Sequence, residues 1–207
     1  MLSFKKLYTL SLATLALLLS FNNYASPTKQ FAVTDFEINR YLGTWYEIAR
    51  FPISFEKGCI APTTAEYSVN ADDSDTMIIK NKCYKDNNQY STVQGIAHFV
   101  GVRNVAELKV KFLPAFLRWL PIGTGGYWVL YTDYEHYALV SDGSYDYLWL
   151  LGRSEILDIA KIKKILALAQ DQGFDIQKFE FNYPFFDFNL RIEEDLYLAL
   201  NINKPHK

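Results

Sequence analysis

Asn39-Arg40-Tyr41-Leu42-Gly43-Thr44-Trp45-Tyr46-Glu47-Ile48-Ala49-Arg50 is the stretch on which the fold turns. After Gly43, the residues Thr44, Trp45, Tyr46 and Ile48 crowd into a short span. β-branched and aromatic side chains of this kind fit a pleated, half-buried surface. They predict a strand over 44–51 with Trp45 near its start.

From there to residue 151 the apolar runs stay short and rich in Val, Ile, Tyr, Phe and Thr. Gly, Pro, Asn or Asp breaks them about every ten residues, the rhythm of antiparallel sheet. Further strands are predicted near 63–69, 76–84, 90–101, 107–112, 126–132, 137–141 and 145–152. The clusters Asn70-Ala71-Asp72-Asp73, Lys85-Asp86-Asn87-Asn88 and Ser141-Asp142-Gly143-Ser144 have the chemistry of strand-ending turns. Eight strands are enough to close a small barrel, so the chain reads as all-β, an eight-stranded up-and-down antiparallel barrel. A helical period occurs once, over 158–172, where Ile162, Ile165, Leu166 and Ala169 share a face. Asp158 can cap its first turn and Gly173 can take the left-handed position after its last. Lys161, Lys163 and Lys164 read as its solvated face.

Residues 177–182 read as a ninth strand. In the extension 183–207, Phe186, Phe188, Leu190 and Ile192 alternate with polar residues, and Leu196, Leu198, Leu200 and Ile202 keep the parity. A hairpin turning at Glu193-Glu194-Asp195 fits, with a helix or an extended segment on the barrel as the alternatives.

The chain has 207 residues, half of them hydrophobic, with 15 Phe, 15 Tyr and 4 Trp, which supports a packed core and excludes disorder. Its net charge of -2 carries no basic footprint for nucleic acid. Lys5 and Lys6 precede an apolar run over 7–19, and small Ala25 stands before Ser26-Pro27: residues 1–25 read as a signal peptide, with a retained anchor as the alternative. The run falls short of the ~20 residues that a bilayer span needs. The exported domain is then 26–182. No Cys lies near the end of the run, so a lipid anchor there is not expected.

Cys59 and Cys83 are equidistant from residue 71, inside a polar turn, so a hairpin folded there brings them opposite each other. Facing residues lie ~4.5 to 5.5 Å apart at Cα, within disulfide range, and an exported protein meets an oxidising compartment. A bridge is expected; two buried thiols are the alternative.

The opening stretch resembles the first conserved region of the lipocalins, whose Gly-x-Trp starts the first strand. Two further motifs follow in family order. Tyr131-Thr132-Asp133-Tyr134 with Tyr137-Ala138-Leu139-Val140 resembles the second region, and Tyr147-Leu148-Trp149-Leu150-Leu151-Gly152-Arg153 the third. The resemblance covers about 31–182 and is nearest to the bacterial outer-membrane lipocalins, with the apolipoprotein D subgroup more distant. It implies a lipocalin barrel with its one helix packed outside.

Strand directions place Trp45 and Arg153 at the same end, where Arg can stack on the indole. In the family this pair closes the base, so Gly43, Trp45, Thr132, Asp133 and Arg153 are read as structural. The first, third, fifth and seventh connections then lie at the open end. Two of them are apolar: Phe51-Pro52-Ile53-Ser54-Phe55 and Leu113-Pro114-Ala115-Phe116-Leu117-Arg118-Trp119-Leu120-Pro121. The second can rim the mouth and meet a membrane, with Arg118 toward lipid phosphate, or fold inward as a lid. Phe51, Phe55, Tyr67, Phe112, Phe116, Trp119 and Trp128 are the expected ligand-binding residues. Phe51 takes the parity of Trp45. Glu47 shares that face, open to the cavity or satisfied by a neighbour. His98 reads as a wall or core imidazole.

The implied function is binding, storage or transport of a fatty acid or lysophospholipid in the bacterial cell envelope, in the periplasm, with no cofactor, no metal and no covalent step. The sequence holds no Gly-x-Ser-x-Gly, no Cys near a His in sequence and no paired-His spacing. The alternatives are a lipocalin-like enzyme acting on a lipid, and a module binding a partner protein or a second copy of the chain.

Overall fold

Short strands joined by tight polar turns pair with their chain neighbours at the lowest loop-closure cost. The computed structural model describes residues 30–53, 59–71, 73–85, 89–118, 120, 122–155, 158–182 and 193–203. Within it β1 (Gly43–Arg50), β2 (Cys59–Asn70), β3 (Asp73–Lys85), β4 (Tyr90–Phe99), β5 (Glu107–Lys111), β6 (Thr124–Thr132), β7 (Tyr137–Ser141) and β8 (Leu148–Gly152) pair in order, each antiparallel to the next. β1 closes the barrel by pairing with both β2 and β8. β2 leaves β1 after Tyr46, and a two-residue β9 (Glu180–Phe181) takes its place beside Ala49 and Arg50.

A four-residue helix, α1 (Ile38–Tyr41), precedes β1 at the end where β1 begins. The second helix, α2 (Ile159–Asp171), has the limits its ends dictate. Asp158 accepts a hydrogen bond from the Lys161 N–H, and Gly173 lies at φ 89°.

Two apolar cores divide the interior from the outer wall. The inner one gathers Tyr41, Trp45, Tyr67, Met77, Ile79, Leu108, Val129, Val140 and Leu151 inside the barrel. The outer one packs Ala49, Phe51, Leu139, Leu148 and Leu150 of the wall against Ile162, Ile165, Leu166 and Ala169 of α2.

Two bulges decide which side chains belong to which. The pairing of β1 with β8 slips between Glu47 and Ala49, so Trp45 and Glu47 face inward while Ala49 faces out. Phe51 therefore does not share the face of Trp45: it is buried outside the barrel, edge-on to Phe174 and Phe179 with ring centroids 6.2 and 5.1 Å away. A second slip between Val129 and Tyr131 separates the parity of Thr132, opposite Ala138 on the inner face, from that of Trp128. Trp128 lies outside, against the outer core, and its neighbours Tyr127 and Val129 face inward.

Three other expectations change. His98 is exposed on the outer face of β4, with its Nδ1 2.9 Å from Thr76 Oγ1, and so faces neither the barrel interior nor a core. Over 193–200 the helical alternative holds and the turn at Glu193-Glu194-Asp195 does not: α3 (Glu193–Leu200) buries Tyr197 and Leu200 and leaves Leu198 80% exposed, as a helical period requires. Residues 183–192 lie outside the described residues. Cys59 and Cys83 are bridged with Cα atoms 5.5 Å apart, but they are not direct partners. Cys59 faces Lys85 and Cys83 faces Thr63, across an irregularity between Ile60 and Thr63.

Candidate ligand site

A sheet rolled into a tube becomes a container only if one end is plugged. The plug starts at α1, whose last carbonyls have no partner within the helix. Arg153 supplies one: its Nη2 donates to the carbonyls of Arg40 and Tyr41, its Nη1 to Thr44 O and its Nε to Tyr134 O, at 2.8 to 3.1 Å. The guanidinium carbon lies over the Trp45 ring, 3.8 Å from its centroid, and Trp45 Nε1 donates to the Tyr41 carbonyl at 2.9 Å. Gly43, at φ 95°, takes a left-handed turn between α1 and the strand, where a side chain would be strained.

The β6–β7 turn completes the base. Asp133 Oδ1 accepts from the N–H groups of Glu135, His136 and Tyr137, and Thr132 Oγ1 from that of Tyr134. Burial pushes the Asp133 carboxyl up, but the Tyr137 and His136 amides and the His136 ring together hold it below the ordinary carboxylate value.

Above the plug lies a polar layer. Tyr127 donates to Tyr67 Oη at 2.8 Å and shares a 2.8 Å bond with Tyr41 Oη. Burial raises all three phenols well above their ordinary pKa. Glu47 also faces inward and is satisfied by neighbours: Asn182 Nδ2 donates to its Oε1 at 2.7 Å and Arg50 Nε is 3.2 Å from the same oxygen. Arg50 reaches on to Glu180 at 3.2 Å, tying β9 to β1.

Toward the mouth the inward side chains become small and meet solvent. Trp45, Ala65, Asn81 and Val93 face one another across four strands, and the series runs from a fully buried indole to a Val 47% exposed. Tyr67 and Ile79 continue to Gly95, where a Cβ would come within 2.6 Å of the Phe112 ring. Gly95 therefore makes room for Phe112, which lies at the inner rim and is 37% exposed. Trp149, opposite Val140 and Arg50, adds an indole to this wall and stacks on Tyr147 with centroids 6.1 Å apart.

Residues 113–118 and Leu120 are held outside the mouth. Lys111 Nζ donates to the carbonyls of Arg118 and Leu120 at 2.8 and 2.7 Å, and Arg118 Nε to Leu113 O at 3.0 Å. Phe116 stands 75% exposed on the 3-10 turn Ala115–Leu117.

Of the expected ligand residues, Tyr67 and Phe112 are on the inner side, Tyr67 in the polar layer above the plug and Phe112 at the rim, while Phe116 is outside the mouth. Phe51 and Trp128 lie on the outer wall. Phe55 and Trp119 lie outside the described residues. Tyr127, Trp149 and Arg50 also face inward and were not among the residues expected there. Alternation from Leu151 back to Trp149 was available as a signal for the second; the bulges hid the other two.

Residues 36–184 match the family model of the lipocalin-like domain. The outer membrane lipoprotein Blc of Escherichia coli (strain K12) is 39% identical over 159 residues, 75% of this chain and 85% of that protein. Apolipoprotein D of Mus musculus is 34% identical over 152 residues, 70% of this chain and 75% of its own length. Among solved structures, insecticyanin from the tobacco hornworm superposes with a TM-score of 0.60 at 20% identity, covering 76% of this chain and 87% of that one. At that identity the likeness concerns the fold.

Proposed function

The chain belongs to the lipocalin family, and from that premise we propose that it binds and carries a lipid, a fatty acid or a lysophospholipid, in the bacterial cell envelope. The observation that carries this reading is the change along the inner face. The base is filled and hydrogen-bonded, whereas the inward-facing Val93 and Phe112 remain open to solvent. An acyl chain entering there would be held by burial, about 0.8 kcal/mol for each methylene taken from water. Its head would stay near the rim, and the filled base sets how deep the chain can go. The reading involves no covalent step.

The envelope is proposed because residues 1–25 have the layout of an export signal and one relative is named an outer membrane lipoprotein. Exposed Phe116, with Ile122 60% exposed beyond it, supports contact between the 113–121 segment and a membrane during loading or release.

The test is mass spectrometry of organic extracts of the purified protein, paired with displacement of a fluorescent fatty acid. A co-purifying acyl lipid, and displacement that Ala65→Phe weakens at least about tenfold without loss of stability, are the expected results. No acyl lipid and no probe binding would overturn the proposal.

A further inference from the structure

We propose that the outer wall between β4 and Arg118 is a docking groove for the phosphate headgroups of an anionic lipid bilayer. The groove encloses about 410 Å³ and lies on the opposite side of the wall from the ligand site. In the register of β4 with β5, Ala97 and Val110 face inward, while His98 with Lys109 and Ile96 with Lys111 face out. Those four, with Arg118 and Thr124, make most of the lining, and no carboxylate is among the lining residues. Glu107, the remaining outward residue of β5, lies beyond it toward the closed end.

Three cations in one concavity repel one another unless an anion joins them. Among the described residues none of Lys109, Lys111 and Arg118 has a carboxylate within ion-pair distance. Lys111 spends two of its donors on the carbonyls of Arg118 and Leu120, which fixes the backbone of the segment at the groove. The same fold leaves Phe116 and Ile122, each two residues from a lining residue, projecting into solvent. A cationic concavity flanked by exposed apolar side chains matches the two layers of a bilayer surface, phosphates outermost and hydrocarbon beneath. A soluble acidic protein would neutralise the cations and leave Phe116 and Ile122 in water, so the bilayer fits better. This inference rests on the proposed contact of the 113–121 segment with a membrane and not on the interior holding a lipid.

The experiment is sedimentation of the full chain with phosphatidylcholine vesicles and with vesicles containing phosphatidylglycerol, at low and high salt. The wild type should partition to the anionic vesicles more strongly, and salt should erase the difference. Lys109→Glu should lower that partition about tenfold, while Lys164→Glu, the same charge change on α2, should not. Phe116→Ser should lower partition to both kinds of vesicle. Equal partition of the wild type to both vesicles, or equal behaviour of the two charge variants, would overturn the proposal. Titration with inorganic phosphate separates the sources: a Lys109-dependent phosphate site without vesicle preference assigns a soluble anion and also overturns it. Displacement of a fluorescent fatty acid, measured without vesicles, should be the same in Lys109→Glu as in the wild type. Failure of that probe to bind either protein would count against lipid carriage and leave the groove standing.

Discussion

The guanidinium of Arg153 lies 3.8 Å from the centre of the Trp45 ring while its three nitrogens donate to four backbone carbonyls. A guanidinium can cover an aromatic face and still offer a fork of donors to several carbonyls, which an ammonium cannot. Lys at this position keeps the charge, loses the planar stack and can reach few of the carbonyls. Arg153→Lys should therefore destabilise the protein by about 2–3 kcal/mol. A urea unfolding curve checks this: the midpoint should fall while the slope stays constant. An unchanged midpoint would mean that the plug is held by packing alone.

Phe51 and Ala65 test which face of the wall meets a ligand. Phe51 is buried between β1 and the segment after α2, so Phe51→Ala should cost about 3–5 kcal/mol and leave fatty-acid affinity intact once the protein is folded. Ala65 is small, inward and half-buried opposite Trp45, so Ala65→Phe should show the reverse pattern. Thermal unfolding and probe displacement on both variants make the comparison. A loss of affinity in Phe51→Ala at full stability would place the ligand outside the barrel.

The difference between those residues also marks how far the sequence could be read. Strand spacing, turn chemistry and the caps at Asp158 and Gly173 are local properties, and they located all eight barrel strands and α2 to within a few residues. Trp45 and Arg153 sit at strand ends, so chain direction alone brings them together. Which way Phe51 and Trp128 point is not local. Alternation carries information only while the ladder is regular, and one extra residue at Glu47/Ala49 or Val129/Tyr131 reverses every side chain beyond it. Near the end of the chain the pattern left hairpin, helix and extended segment open for another reason: Leu196, Leu198 and Leu200 keep the parity of a strand, yet i to i+3 spacing in α3 buries Tyr197 with Leu200.

The bridge between Cys59 and Cys83 closes a loop with a sequence separation of 24 at the open half of the barrel. In the chain-entropy account a loop of this length gives about 3 kcal/mol of stability by restricting the unfolded chain. The double variant Cys59→Ser, Cys83→Ser should lower stability by about that amount and leave the Arg153 plug in place. Urea titration of the variant, and of the wild type with and without reductant, checks it. A reduced wild type as stable as the oxidised one would show that the paired strands already hold the register.

The hydrogen-bonded phenols of Tyr41, Tyr67 and Tyr127 predict how the fold fails at high pH. Burial is the largest cause of their shift and raises each folded-state pKa well above the unfolded value near 10. Below pH ~10 both states hold these protons, and the contribution of the three groups is fully present. Above it the unfolded chain releases protons that the folded one keeps, so stability falls as pH rises toward the folded-state values. Tyrosinate absorbance during an alkaline titration should accordingly fall at least three phenols short of complete ionisation until the protein unfolds cooperatively. Tyr127→Phe removes the shared hydroxyl, leaves Tyr41 and Tyr67 without their common partner, and should cost about 1–3 kcal/mol at neutral pH. Smooth titration of every tyrosine near pH ~10 with unchanged circular dichroism would mean that water reaches the base, and that the barrel is open at both ends.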